Sequence, residues 1–328
     1  MRTARSGAEI MRIARYALGT ALLAAAVLAP AAVGAADNPQ QVVAIPVCFH
    51  PVGVAVNPAT DRVYVACFGD GTFAVINGQT NKVIATHRLG SSLWAVAVNP
   101  RTGLVYVTNQ AQQQVLVING QTNKVTATIK VPFPPAGIAV NPRTGKVYVG
   151  RFRGHDVAVI DGKTNTIIAM VRVAFDPLGV AVNPVTGTAY ATGRSAVSVI
   201  SGQTNKVTAR IGVRGLGIAV DPQTNTVYDV TVNSVEPGPV AVIDGTTNTV
   251  TANVTIRSPW GVAVNPGTDT IYVDSFRRAQ LVVIDGTTNT VTAMVKVGSL
   301  PSNVAVDPQT GLAYTTNQGD NTLSVVGP

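Results

Sequence analysis

Seven copies of one strand–turn–strand unit, a repeat length near 42 residues, and Asn-Gly or Asp-Gly turns between β-branched runs predict an all-β fold. That fold is a seven-bladed β-propeller of four-stranded antiparallel blades. The unit is clearest at residues 95–109. Val96 and Val98 alternate with Ala95 and Ala97 as a small apolar strand. Asn99 and Pro100 open a turn, because Pro presets φ at the first central position and Asn bonds its own backbone. Gly103 fits the left-handed residue of a type I turn with a G1 bulge, and Val105, Tyr106 and Val107 return as a β-branched, aromatic strand. The turn residue recurs at Asn57, Asn99, Asn141, Asn183, Asp221, Asn265 and Asp307, at spacings of 42, 42, 42, 38, 44 and 42 residues.

In chain order, residues 1–36 come first. Arg2, Arg5, Arg12 and Arg15 precede the apolar run 17–29, and Pro30 leads into small residues. A basic region, a short apolar core and a small-residue exit make a secretory signal peptide, with Met11 as an alternative start. The expectation is an exported protein, periplasmic or at the cell envelope, with no stable membrane insertion after cleavage. The rest, 37–328, reads as a single propeller: a length of 328 residues suggests two domains, but a repeat array of this period closes into one. Removal of the leader leaves 20 basic against 15 acidic residues, a mild bias that permits an anionic partner without demanding one.

Each blade continues past its Tyr strand through a variable loop into a third strand, such as 115–118, then a constant turn at 119–123. Asn-Gly and Asp-Gly at that turn are short-hairpin signals. A fourth strand, such as 124–131, is the most polar of each blade and the first is the smallest, which suits an inner strand at the axis and an outer one in water. The seventh repeat stops after its third strand, 322–326. Residues 41–47 resemble a fourth strand, so the N-terminal strand is expected to complete blade 7, built from about 41–47 plus 303–326, and to close the ring.

Tyr106, Val107, Thr108 and Asn109, with the Asn-Pro-x-Thr-Gly and Ile-Asp-Gly-x-Thr-Asn turns, resemble the YVTN-type β-propeller repeat family over about residues 41–326. The resemblance implies an exported seven-bladed propeller. Relatives in that family include surface-layer proteins, a periplasmic propeller described as DNA-binding, and more distant propellers with lactonase or redox roles. The terminal Asn of the motif is kept at Asn109 and Asn317, whereas Cys67 and Arg151 stand there in the first and third repeats.

The first and third turns of every blade fall on one face, nearly constant in sequence; the second loops and the blade connections fall on the other and share no motif. Function grafted onto a rigid scaffold belongs on such loops. Arg151, Arg153, Arg194, Arg214, Arg257, Arg277 and Arg278 all lie there, in blades 3 to 6. Arg suits bidentate phosphate or carboxylate recognition. The competing reading pairs them with Asp156, Asp176, Glu236 and Asp274 of the same sector. Trp94 and Trp260 occupy equivalent positions before two inner strands, either packed between blades or offered as an aromatic platform at the channel mouth. Asp229 and Asp274 read as satisfied turn carboxylates near the rim.

His50, His87 and His155 are scattered, and no zinc, nucleophile-elbow, Walker or Cys-x-x-Cys motif occurs, so no cofactor, metal or catalytic set is assigned. Cys48 and Cys67, the only cysteines, are either a disulfide pair or two inert thiols. The favoured reading is a non-catalytic binding propeller that uses its variable face for an anionic ligand, such as single-stranded nucleic acid or an acidic envelope polymer, or for a protein partner. The alternatives are a lactonase- or lyase-like enzyme and a structural envelope module.

Overall fold

The computed structural model describes residues 42–231 and 238–328. The predicted export segment 1–36, Gln41 of the closing strand, and Glu236 lie outside the described residues. Within them the chain forms seven four-stranded antiparallel sheets. In blade 2 the strands are Leu93–Asn99, Leu104–Asn109, Gln114–Asn119 and Lys124–Lys130, paired in sequence order from the axis outward. Among the described residues no helix is long and apolar enough to cross a membrane.

Ring closure is seen directly. Val42–Pro46 pairs antiparallel with Thr322–Val326, with Val42 opposite Val326 and Pro46 opposite Thr322. Blade 7 is therefore completed by the first strand described, and both edges that an open array would expose are paired.

The core has no single centre. It is divided into clusters between neighbouring blades. Tyr106, Val115 and Val117 of blade 2 pack on Val147, Val149 and Ile160 of blade 3, and Ile45, Leu323 and Val325 of blade 7 pack on Val63, Val65 and Ile76 of blade 1. Both faces of each middle strand are thus buried, which explains their unbroken Val, Ile and Tyr runs.

The turns follow the sequence logic with one difference. Asn99 accepts from the amide of Arg101 at 3.0 Å, and Gly103 closes the turn at φ 69°. The third turn, however, is no two-residue hairpin. Its left-handed residue is Asn123, whose amide reaches the Asn119 carbonyl at 2.7 Å, and Asn81, Asn165, Asn205, Asn248 and Asn289 repeat this. Gly120 is needed for room: a Cβ there would stand 2.6 Å from the Gly103 carbonyl and 2.7 Å from the Tyr64 hydroxyl of the preceding blade. The same contact recurs between Tyr106 and Gly162, Tyr148 and Gly202, and Tyr190 and Gly245.

Candidate binding face

The seven inner strands surround an axial cavity of about 180 Å³. Its lining comes from the first half of each inner strand, the half nearest the variable loops. Most inner strands are bulged there. In blade 2 the register shifts between Leu93 and Val96, and in blade 6 between Pro259 and Val262. Trp94 and Trp260 sit inside those two bulges. A bulge adds a residue and re-aims its side chain, and both tryptophans line the cavity, partly buried, from nearly opposite sides of the ring.

Close packing of the inner strands is set by glycine. A Cβ on Gly53 would lie 2.6 Å from the carbonyl oxygen of Trp94, and one on Gly217 would lie 2.5 Å from that of Trp260. The backbone that carries each tryptophan is thus pressed against its neighbour's Cα.

The tryptophans belong to a larger set of rings that sequence reasoning missed. Phe68 meets Trp94 edge-on at 5.8 Å, and Phe152 lies 6.4 Å from the same indole. His50 lies 6.0 Å from Phe68, and Phe49, which is 61% exposed, lies 6.3 Å from His50. Phe276 stacks on Trp260 at 5.0 Å. The available signal was distribution: of the seven phenylalanines, only Phe73 lies within a regular strand, and the rest fall in variable-face segments.

The arginines divide. Arg151 pairs with Asp156 at 2.9 Å and Arg194 with Asp176 at 2.8 Å, so the neutralised reading holds for those two. Asp176 is also tied to the Arg153 amide at 2.8 Å, and the Arg153 guanidinium lies over the Phe152 ring at 5.3 Å. Arg277 is exposed and engaged. Arg214, Arg257 and Arg278 are exposed and have no ion pair among the described residues. These three belong to the connections of blades 4 to 5 and 5 to 6 and to the second loop of blade 6.

Asp229 and Asp274 are not satisfied turn carboxylates. Both lie within second strands and both are fully buried. Burial raises Asp229 to about 7; Thr192 lies beside it but forms no well-aligned bond, and both carboxyl oxygens lack partners. Burial raises Asp274 to about 8, against a hydrogen bond of 2.6 Å from the Thr315 hydroxyl. Its Oδ2 has no partner and lies 2.8 Å from where a Cβ of Gly261 would stand, directly behind the cavity wall.

The histidines do not converge. His155 packs on Phe175 at 5.1 Å, His87 lies on an outer strand, and burial lowers the pKa of His50, whose amide is bonded to Asn321 Oδ1. Among the described residues no group of three metal-ligating side chains is gathered. Cys48 and Cys67 are disulfide-bonded with Cα atoms 6.1 Å apart. The bond joins the segment after the closing strand to the end of blade 1's second strand.

No family model matches the sequence, and no curated protein matches it. Among solved structures the chain is similar to Kuenenia stuttgartiensis hydrazine synthase, with a TM-score of 0.77 and 18% identity over 87% of this chain and 96% of that one. At that identity the likeness concerns architecture alone, and the architecture is a seven-bladed β-propeller closed by its N-terminal strand.

Proposed function

We propose that this protein is an exported, non-catalytic binding propeller of the YVTN type whose variable face takes an anionic polymer. The observation that carries the reading is the set Arg214, Arg257 and Arg278 in variable-face segments: exposed, without ion pairs among the described residues, with Arg257 three residues before Trp260 and Arg278 two after Phe276. A guanidinium whose fork is unengaged is ready for bidentate phosphate or carboxylate contacts, and adjacent rings add stacking. Arg151 and Arg194 hold their loops through Asp156 and Asp176 and serve as scaffold. An enzymatic reading would draw on Asp229 and Asp274, whose raised pKa values suit acid–base work. Both are fully buried between blades, out of a substrate's reach.

The test is a salt titration of binding to short single-stranded DNA and to an acidic polysaccharide. Arg257→Ala with Arg278→Ala should lower affinity about tenfold or more and flatten the salt slope by roughly one unit per lost phosphate contact. Lys124→Ala with Lys206→Ala, at the constant face, should change neither. The reading fails if neither polymer binds at low salt, or if the Lys pair matters as much as the Arg pair. Export is checked by fractionation and by the N-terminus of the mature chain.

A further inference from the structure

We infer that the axial cavity is itself a ligand site, and that it takes one uncharged, N-acylated sugar ring between Trp94 and Trp260. The inference rests on the reading that the variable face is the binding face, and it names what enters the mouth at its centre.

Size comes first. A cavity of about 180 Å³ is many times the ~10–15 Å³ that holds one water. That is below the ~300 Å³ at which pockets for larger organic ligands begin, so it fits a single ring and its substituent.

Charge comes second. No lining residue is ionisable. An anion inside would lose its hydration and find no cation among the lining residues. A cation would likewise find no carboxylate among the lining residues. The occupant is therefore neutral.

The wall chemistry comes third. Trp94 and Trp260 offer aromatic faces, whose negative quadrupole attracts the C–H bonds of a pyranose. Val and Ile side chains such as Val54, Ile138 and Val262 offer an apolar surface for a methyl group. Asn303 supplies the one side-chain amide in the lining. It stands where blades 1, 3, 4, 5 and 6 have glycine, at Gly53, Gly137, Gly179, Gly217 and Gly261. Its backbone carbonyl accepts from Thr316, and among the described residues its side-chain amide has no hydrogen-bond partner. An amide next to apolar wall and aromatic faces matches an acetamido group on a sugar: amide to amide, methyl to Val and Ile, ring to Trp. Ser302, the other polar lining residue, is already engaged with Thr316 at 3.2 Å.

The chain contains two tryptophans and both line this cavity, so selectively excited tryptophan emission reads it without a label. N-acetylglucosamine is expected to change the emission saturably at millimolar concentration. Glucose should act at least tenfold more weakly, and glucuronate should not act. Asn303→Ala should weaken the N-acetylglucosamine response at least tenfold with unchanged far-ultraviolet circular dichroism; if that variant does not fold, the wild-type comparison of the two sugars decides. Equal responses to glucose and N-acetylglucosamine, a stronger response to adenosine, or no saturable response would each overturn the inference. Arg257→Ala with Arg278→Ala should leave the sugar response intact. Polymer binding that fails while the sugar response persists removes the anionic reading alone, and the reverse result removes the cavity site alone.

Discussion

Asp274 of blade 6 and Thr315 of blade 7 are joined by a 2.6 Å hydrogen bond in which the hydroxyl donates to Oδ1, while Oδ2 of the same carboxyl has no partner. A carboxyl in that setting is retained as the neutral acid, and burial is the cause.

This gives a pH dependence with a definite sign. The folded pKa of Asp274, about 8, and of Asp229, about 7, both exceed the unfolded value of 3.8. Between the two limits the native state holds protons that the unfolded chain has released, so stability falls as pH rises. His50, lowered by burial, works in the opposite sense below the ordinary histidine value of 6.5, so the clean window lies above that. The melting temperature should drop between pH 6.5 and about 8, and Asp274→Asn should flatten the slope. A wild-type melting temperature that is level or rising across this window would contradict the assignment.

A second prediction concerns the constant face. Asn183 of blade 4 donates to Asn225 Oδ1 of blade 5 at 2.7 Å, and Asn225 is the left-handed residue of its turn. At the next junction the corresponding residues are Asp221 and Asp269, and at the closure of the ring they are Asp307 and Asp61. Burial and then the neighbouring Asp raise both Asp269 and Asp61. Replacing Asp221 and Asp269 together by Asn should restore the amide bond and stabilise the protein by about 1 kcal/mol near neutral pH. Urea denaturation at pH 7.5 and pH 4 checks this: the gain should shrink at the lower pH, where the native acids protonate.

Gly120→Ala should cost about 2 kcal/mol or more, because the new methyl meets a backbone carbonyl that cannot move aside. Gly212→Ala, where nothing lies within 4 Å, is the control and should change stability by a few tenths at most. Equal effects would mean that the Tyr64–Gly120 contact does not constrain the neighbouring blade.

The disulfide makes the fourth prediction. Denatured, non-reduced protein should show no labelled thiol. Reduction should destabilise by about 3 kcal/mol, the scale of a closed loop of this length, from a sequence separation of 19. Two labelled thiols per chain would refute the bond.

The architecture was legible because a propeller repeats its evidence. Asn99, Gly103 and Tyr106 each recur at a fixed spacing, and the unpaired third strand 322–326 pointed to the strand that completes it. The third turn was misread because Asn-Gly carries two meanings: at Gly120 the glycine answers a clash with the preceding blade, which no local rule registers. Asp229 and Asp274 were misread for the same reason. In sequence they sit at the ends of strands beside polar loops, and only assembly of the ring shows that each is sealed by the adjacent blade. The site was half visible. Arginine clustering could be counted, but which guanidiniums are engaged depends on Asp156 and Asp176, whose reach is set by loop geometry. The ring of phenylalanines was countable too, and its arrangement around Trp94 was not.

The pairing of Val42 with Val326 also fixes an order of events in time. The strand that Val42–Pro46 must join is made almost a whole chain later, and at roughly 5–20 residues per second the interval is tens of seconds. Throughout it, Val63, Val65 and Ile76 of blade 1 lack Leu323 and Val325, which pack on them in the closed ring. The nascent chain therefore carries an adhesive surface at its leading end until the final strand is released, and this ring is most exposed to misassociation before its last few residues are made.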